Sequence, residues 1–286
     1  MTLAVACASG GFKGVFVHGV LSAFERAGLH VDAYAASSAS VASTSFAVVG
    51  RASEVGVEYW VRARRVLDKP GQGMSQVVLQ CLENYAPMVR PAAFEPGRPR
   101  LLIAASEVVT EEAAALTQGD GARGLGRRLL VAAARGDRTW AGKHLERRIF
   151  DSQIQAGDFQ LNADNFDQVA YASTRMLHAW DIPAWIEERP FVDATYTCLC
   201  PAIELAEHGY REVVAVAAEA GPLRRDLFGR EPIPPQWGPT SIKLIGPEQD
   251  PGEFGVDFAA ASDDGLLAAY RQGEQQGRAF LASRGR

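Results

Sequence analysis

The stretch "TLAVACASGGFKGVFVHGVLSAFERAGLHVDAYAASSAS" (residues 2–40) decides the fold. It opens on a short apolar run, 2–9, that ends in the glycine-rich "GGFKG". "VFVHGVLSAFERAGL" (15–29) follows, with Val17, Val20, Leu21 and Phe24 at offsets of three and four and Gly28 as a stop, which predicts a helix. "HVDAYAA" (30–36) is a second strand candidate, and "ASVASTSFAVVG" continues as a helix closed by Gly50. Strand, glycine loop, helix, strand, turn, helix is the alternation of a parallel sheet with crossover helices.

Working outward, residues 51–99 read as mostly helical, broken at "KPGQG" (69–73). "PRLLIAASEVV" (99–109), "REVVAVAAEA" (211–220) and "TSIKLIGP" (240–247) are short apolar strand candidates bounded by breakers. "GREPIPPQWGP" (229–239) is a proline-rich loop, and the tail from about Ala259 to Leu281 reads as a terminal helix interrupted by glycines. No repeat and no linker divides the 286 residues, so we expect one α/β domain over 1–286, with a lid or insert around 110–165.

Composition narrows the function classes. Apolar residues are 47% and charged residues 22%, the profile of a chain with a full core. No apolar run approaches the ~20 residues that span a bilayer, and the small-residue set before Cys7 lacks the flanks of a signal peptide. We therefore expect a cytoplasmic protein, peripheral at a membrane at most. The net charge of −5 argues against nucleic acid as a partner. Cys7, Cys81, Cys198 and Cys200 fit no zinc spacing and read as buried thiols. One segment runs against the overall charge: Arg123, Arg127, Arg128, Arg135, Arg138, Lys143, Arg147 and Arg148 face only Asp137 and Glu146. It reads either as a solvated helical face with loops, or as a docking surface for an anionic membrane or an acidic carrier protein.

Three pieces carry the chemistry. In "SGGFKG" (9–14), consecutive glycines between a strand and a helix let backbone N–H groups converge, which suits a turn or an anion nest. The phosphate-loop spacings are absent. In "ASSAS" (36–40), Ser38 sits after a strand with small residues two before and two after, as on a nucleophile elbow, although neither is glycine. In "RPFVDATYTCLCPAIELAEHGYREVVAV" (189–216), Asp193 ends an apolar run, as a turn or cap residue or as a catalytic carboxylate.

In this order the three resemble the patatin-like phospholipases, or lipid acyl hydrolases, whose patterns are "GGGx[RK]G", "GxSxG" and "DG[GA]". "SGGFKG" matches the first with Ser9 in place of a glycine, and "VDAYAASSAS" matches the strand and elbow, with Ser38 as nucleophile. "YASTRMLHAWDIPAWIEERPFVDAT" (171–195) resembles the aspartate block, with Asp193 as the catalytic carboxylate. The resemblance covers nearly the whole chain. It implies a three-layer α/β/α patatin-like fold and a Ser38–Asp193 dyad acting without histidine. It also implies an oxyanion hole at Gly10, Gly11 and Phe12, an acyl ester or thioester substrate, and no need of a metal or cofactor. Ala36, Ser40, Ala194 and Thr195 depart from the pattern. If glycine supplied a left-handed backbone there, they cost strain of roughly 1–2 kcal/mol each; if it supplied clearance, they narrow the pocket. The alternatives are an acyltransferase on a carrier- or coenzyme A-linked acyl group, and a non-catalytic binding protein. A Ser-His-Asp triad is the competing chemistry, and in the order Ser…Asp…His only His208 follows Asp193.

Overall fold

The structure is a computed structural model and describes residues 2–154 and 157–284; Gln155 and Ala156, within the expected insert, and Met1, Gly285 and Arg286 lie outside them. Nine strands are seen among these residues: β1 (Leu3–Cys7), β2 (Ala33–Ser37), β3 (Arg100–Val108), β4 (Leu145–Asp151), β5 (Trp185–Ile186), β6 (Arg189–Val192), β7 (Glu212–Val216), β8 (Gln236–Trp237) and β9 (Thr240–Ile245). The helices are α1 (Gly14–Arg26), α2 (Ser40–Val48), α3 (Ala52–Val55), α4 (Glu58–Val66), α5 (Met74–Ala93) and α6 (Glu111–Gln118). They continue with α7 (Ala122–Arg135), α8 (Thr139–His144), α9 (Phe166–Thr174), α10 (Ala202–Glu207) and α11 (Asp263–Arg284).

The sheet has a parallel centre, β3-β2-β1-β7-β9, with β4 and β6 antiparallel on β3, β5 antiparallel on β6 and β8 antiparallel on β9. Helices cover both faces, so the fold is a mixed α/β/α sandwich around a mostly parallel sheet. β1 shows how the two layers are specified. Leu3, Val5 and Cys7 point into the large core with α1, α2, α5, α9 and α11, while Ala4 and Ala6 point the other way. There they meet Ala33, Ala35, Val213 and Ala215, under the short α10 with Ala202 and Leu205. Alanine on that face brings the short helix close.

The glycines of the tail are a packing device. α11 crosses α1 so closely that a Cβ on Gly273 would lie 2.1 Å from the Phe16 carbonyl, and one on Gly19 would lie 2.1 Å from the Tyr270 carbonyl. The basic segment corrects the expected solvated helix. Its C-terminal part is β4, an edge strand paired with β3 from Leu102↔Asp151 to Val108↔Leu145. The consecutive charges Glu146, Arg147 and Arg148 on this edge strand blunt it against further pairing. Arg147 holds the buried Glu204 at 2.6 Å, and Arg148 reaches Glu107 and Glu146. No helix among the described residues is long and apolar enough to cross a membrane.

Candidate active site

Sheet register brings Ser38 and Asp193 together across 155 residues of chain. β2 runs along β3 and stops with Ser37 opposite Ala104. β6 runs along β3 in the opposite direction and stops with Val192 opposite Ser106. The two strands thus approach head-on along one neighbour, ending two residues apart, a gap of roughly 7 Å. The next residue of each is Ser38 and Asp193, and the Ser38 hydroxyl donates to Asp193 Oδ2 at 2.7 Å.

Ser38 occupies a left-handed backbone conformation, φ 55°, between β2 and α2. Of the described non-glycine residues, only Glu187 and Glu188 share a positive φ. Such a conformation costs on the order of 1–2 kcal/mol and is the mark of a sharp strand-to-helix elbow. Two serine side chains hold it. The Ser38 amide donates to Ser173 Oγ of α9 at 2.9 Å. Ser40 Oγ accepts from the Ser37 amide at 3.2 Å and faces the Cys7 and Ser37 carbonyls at 2.9 Å. Ala36, Ser40, Ala194 and Thr195 all have negative φ, so the four departures from glycine carry no left-handed strain and change only the space around the site.

The two readings of Asp193, cap and carboxylate, are both realised, on different oxygens. Oδ1 accepts the Thr195 amide at 2.7 Å and caps the turn Ala194–Tyr196, which leaves Oδ2 for Ser38. Its own amide donates to the Arg175 carbonyl at 2.9 Å, and its carbonyl accepts from Ser106 Oγ at 2.8 Å. Asp193 is 0% exposed. Burial pushes its carboxyl up from 3.8 to about 6, against the lowering bonds from Thr195 and Ser38. No histidine bonds to either residue. His208 is exposed at the end of α10. His18 is buried, accepting Trp60 Nε1–H on Nδ1 and facing the Ala52 carbonyl with Nε2; burial lowers it to about 4. These bonds require the neutral ring with its proton on Nε2, a structural role.

The glycine turn lies next to this pair. Thr195 Oγ1 donates to Ser9 Oγ at 2.6 Å, so two side chains that replace glycines of the resembled pattern bond each other. The Gly10 and Gly11 amides have no acceptor among the described residues. The Phe12 amide differs from the expectation of three free donors: it is taken by the Phe258 carbonyl at 3.1 Å. Gly11, at φ 56°, makes room for that oxygen, since a Cβ there would lie 2.0 Å from it. The Phe258 ring packs on His178 and Trp180, with centroids 5.6 and 5.9 Å away. A backbone carbonyl thus rests where the nest would receive an anion, and Ser38 is 1% exposed.

Two pockets, each partly open to solvent, flank the turn. One starts at Gly11, Phe12 and Ala39, beside Ser38, and is walled by apolar residues such as Phe46, Val77 and Trp180. The other is lined by Ser9, Leu199, Glu219, Arg224 and Asp226, a mixed polar wall. Among the described residues, no cluster of His, Cys, Asp or Glu has the arrangement of a metal site.

Sequence reasoning missed Ser173, Arg175 and Phe258. Ser173 lay inside the aspartate block without a marker of its own. Arg175 is 1% exposed and donates to the Ile182 and Thr117 carbonyls, fixing the loop that holds the Asp193 amide. Phe258 belongs to a segment with no motif.

No family model matches the chain, and no curated protein matches it. VipD from Legionella pneumophila is a solved structure of similar outline, aligning over 99% of this chain and 67% of its own at 12% identity, with a TM-score of 0.48. Likeness at that level carries no argument about function.

Proposed function

We propose that the chain is a serine acyl hydrolase of the patatin-like type, built as a single α/β domain and acting on an ester or thioester with an apolar acyl chain. The observation that carries the reading is the Ser38 Oγ–Asp193 Oδ2 bond of 2.7 Å on a strained elbow beside an apolar cavity. A lone serine hydroxyl is a weak nucleophile, and a carboxylate pushed up to about 6 is a better proton acceptor than an ordinary one.

In this reading the acyl chain lies in the cavity walled by Phe46, Val77 and Trp180. Asp193 Oδ2 takes the hydroxyl proton as Ser38 Oγ attacks the carbonyl carbon. The Gly10 and Gly11 amides donate to the tetrahedral oxyanion, and Phe12 joins them once the Phe258 carbonyl has withdrawn. The leaving alcohol or thiol departs with the proton from Asp193. Water then enters, gives its proton to Asp193, and attacks the acyl-serine carbon; Ser38 leaves and takes the proton back. Capping through Oδ1 holds the carboxylate in register throughout.

The polar cavity beside Ser9 and Thr195 favours one further reading, acyl transfer to an alcohol or thiol held there instead of water. Product analysis separates the two. Hydrolysis gives free acid whatever acceptor is added, whereas transfer gives the acceptor ester in excess of acid. Purified chain that turns over no acyl ester or thioester, and forms no Ser38 adduct with a fluorophosphonate, would overturn both.

A further inference from the structure

We propose that the outer face of α7 docks on an anionic lipid bilayer. Of the eight basic residues between 123 and 148, four are bound internally: Arg138 to Asp226, Lys143 to Glu112, Arg147 to Glu204, and Arg148 to Glu107 and Glu146. Their charge is answered within the chain, so they are left out of the docking face, although Arg138 and Lys143 are exposed. The other four, Arg123, Arg127, Arg128 and Arg135, stand on α7, exposed and without an acidic partner among the described residues. Arg230 joins them, donating to the Arg135 carbonyl at 2.7 Å. The nearest carboxylates in the chain are Asp120 before the helix, Asp137 after it, tied to the Thr139 amide and beside Arg135, and Glu231 next to Arg230.

α7 is divided lengthwise. Ala122, Leu125, Gly126 and Leu129 face inward, and Gly126 lies against the Leu177–His178 backbone. Arg123, Arg127, Val131 and Arg135 follow one another at steps of four, so they form a single outward stripe. Val131 is 52% exposed, and Leu116, which lies beside Gly121 at the start of the helix, is 41% exposed. Apolar side chains between arginines favour a bilayer over an acidic protein. Such a face rests on the headgroups through its cations, with Val131 and Leu116 at the boundary, while the apolar face of the helix stays packed on the core. The remainder of the chain carries a net negative charge, which favours this basic face over the rest for an anionic surface.

The location gives the contact a use. α7 packs on His178, His178 packs on Phe258, and the Phe258 carbonyl holds the Phe12 amide of the nest. A bilayer on the outer face of α7 is therefore linked to the cover of the candidate active site through the helix, His178 and Phe258. Docking itself does not rest on the catalytic reading, and its test is made on the full chain carrying Ser38→Ala.

The experiment is vesicle flotation with phosphatidylcholine alone and with phosphatidylcholine–phosphatidylserine mixtures. We expect partition onto the mixed vesicles only, weakening as salt is raised. R127E/R128E lowers that partition by more than about tenfold, R127K/R128K largely keeps it, and Val131→Asp lowers it several-fold. Both arginines are exposed, and an unchanged near-ultraviolet circular dichroism spectrum checks that the variants are folded. Equal binding to both vesicle types, or R127E/R128E binding like the parent, overturns the proposal. So does retention on polyglutamate without partition onto vesicles, which would assign the face to an acidic protein.

Discussion

The two halves of the candidate reaction centre stand in different states. The Ser38–Asp193 pair is assembled, with its hydrogen bond made and both backbones tied down. The glycine turn beside it is occupied, one amide spent on the Phe258 carbonyl. The difference follows from what builds each half. The Ser38–Asp193 pair is fixed by where two strands end along β3, and strand ends in a sheet core do not drift. The nest faces a loop that one carbonyl and one aromatic ring hold in place. Such a loop can open at far lower cost than the sheet. In the proposed reading the rigid half carries the chemistry and the loose one controls access.

Breaking the rigid half has the largest effect. Ser38→Ala and Asp193→Asn each lower kcat/KM on an acyl ester by at least about a thousandfold, measured by steady-state release of the acid. Asp193→Asn also separates activity from stability. The folded carboxyl titrates at about 6 against 3.8 outside the protein, so the buried group destabilises the fold once ionised. Its protonated form is favoured below pH 3.8, and that advantage is lost as pH rises through about 6. Denaturant unfolding at neutral pH therefore shows Asp193→Asn more stable than the parent by on the order of 2 kcal/mol, while at pH 4 the difference shrinks. A stability that falls equally at both values would mean that the carboxylate is held by a partner rather than penalised by burial.

The boundary between the halves comes next. Gly11→Ala places a methyl on the Phe258 carbonyl in a left-handed residue. We expect a loss of about 2 kcal/mol or more in unfolding free energy and roughly tenfold or more in kcat/KM. The pH–rate profile probes the rigid half without mutation. In the proposed mechanism the base is ionised Asp193, so kcat/KM is expected to rise with pH and level off above about 6. A rise centred near 4 would contradict the buried environment.

The smallest effects sharpen the comparison. Ser173→Ala removes the acceptor of the Ser38 amide and lowers kcat by roughly three- to tenfold. Phe258→Ala frees the loop without touching the dyad, and the rate of fluorophosphonate labelling at Ser38 rises about threefold or more. A falling rate would make Phe258 part of the substrate wall instead of a cover.

What was legible in the sequence is what local pattern encodes. β1, the glycine turn, α1, β2 and the elbow follow from periodicity and breakers, and each lies where the spacing of Val17, Val20, Leu21 and Phe24 and the glycine positions put it. Ser38 and Asp193 were singled out by resemblance, because nothing local says that two strand ends will meet. β4 was misread because its charges look solvated. Their partners, Glu107 on β3 and Glu204 on α10, come from other parts of the chain. β6 has four residues and one proline, too short for a periodicity. The Phe258 contact joins residues almost the whole chain apart and depends on a carbonyl, which every residue has.

The most direct test of the dyad is mass-spectrometric mapping of the adduct formed by a fluorophosphonate on folded protein, in the parent, Phe258→Ala and Asp193→Asn. We predict a single adduct on Ser38 in the first two, formed faster in Phe258→Ala, and none at matched exposure in Asp193→Asn. An adduct on another serine, or a Ser38 adduct that forms as fast in Asp193→Asn as in the parent, would contradict it.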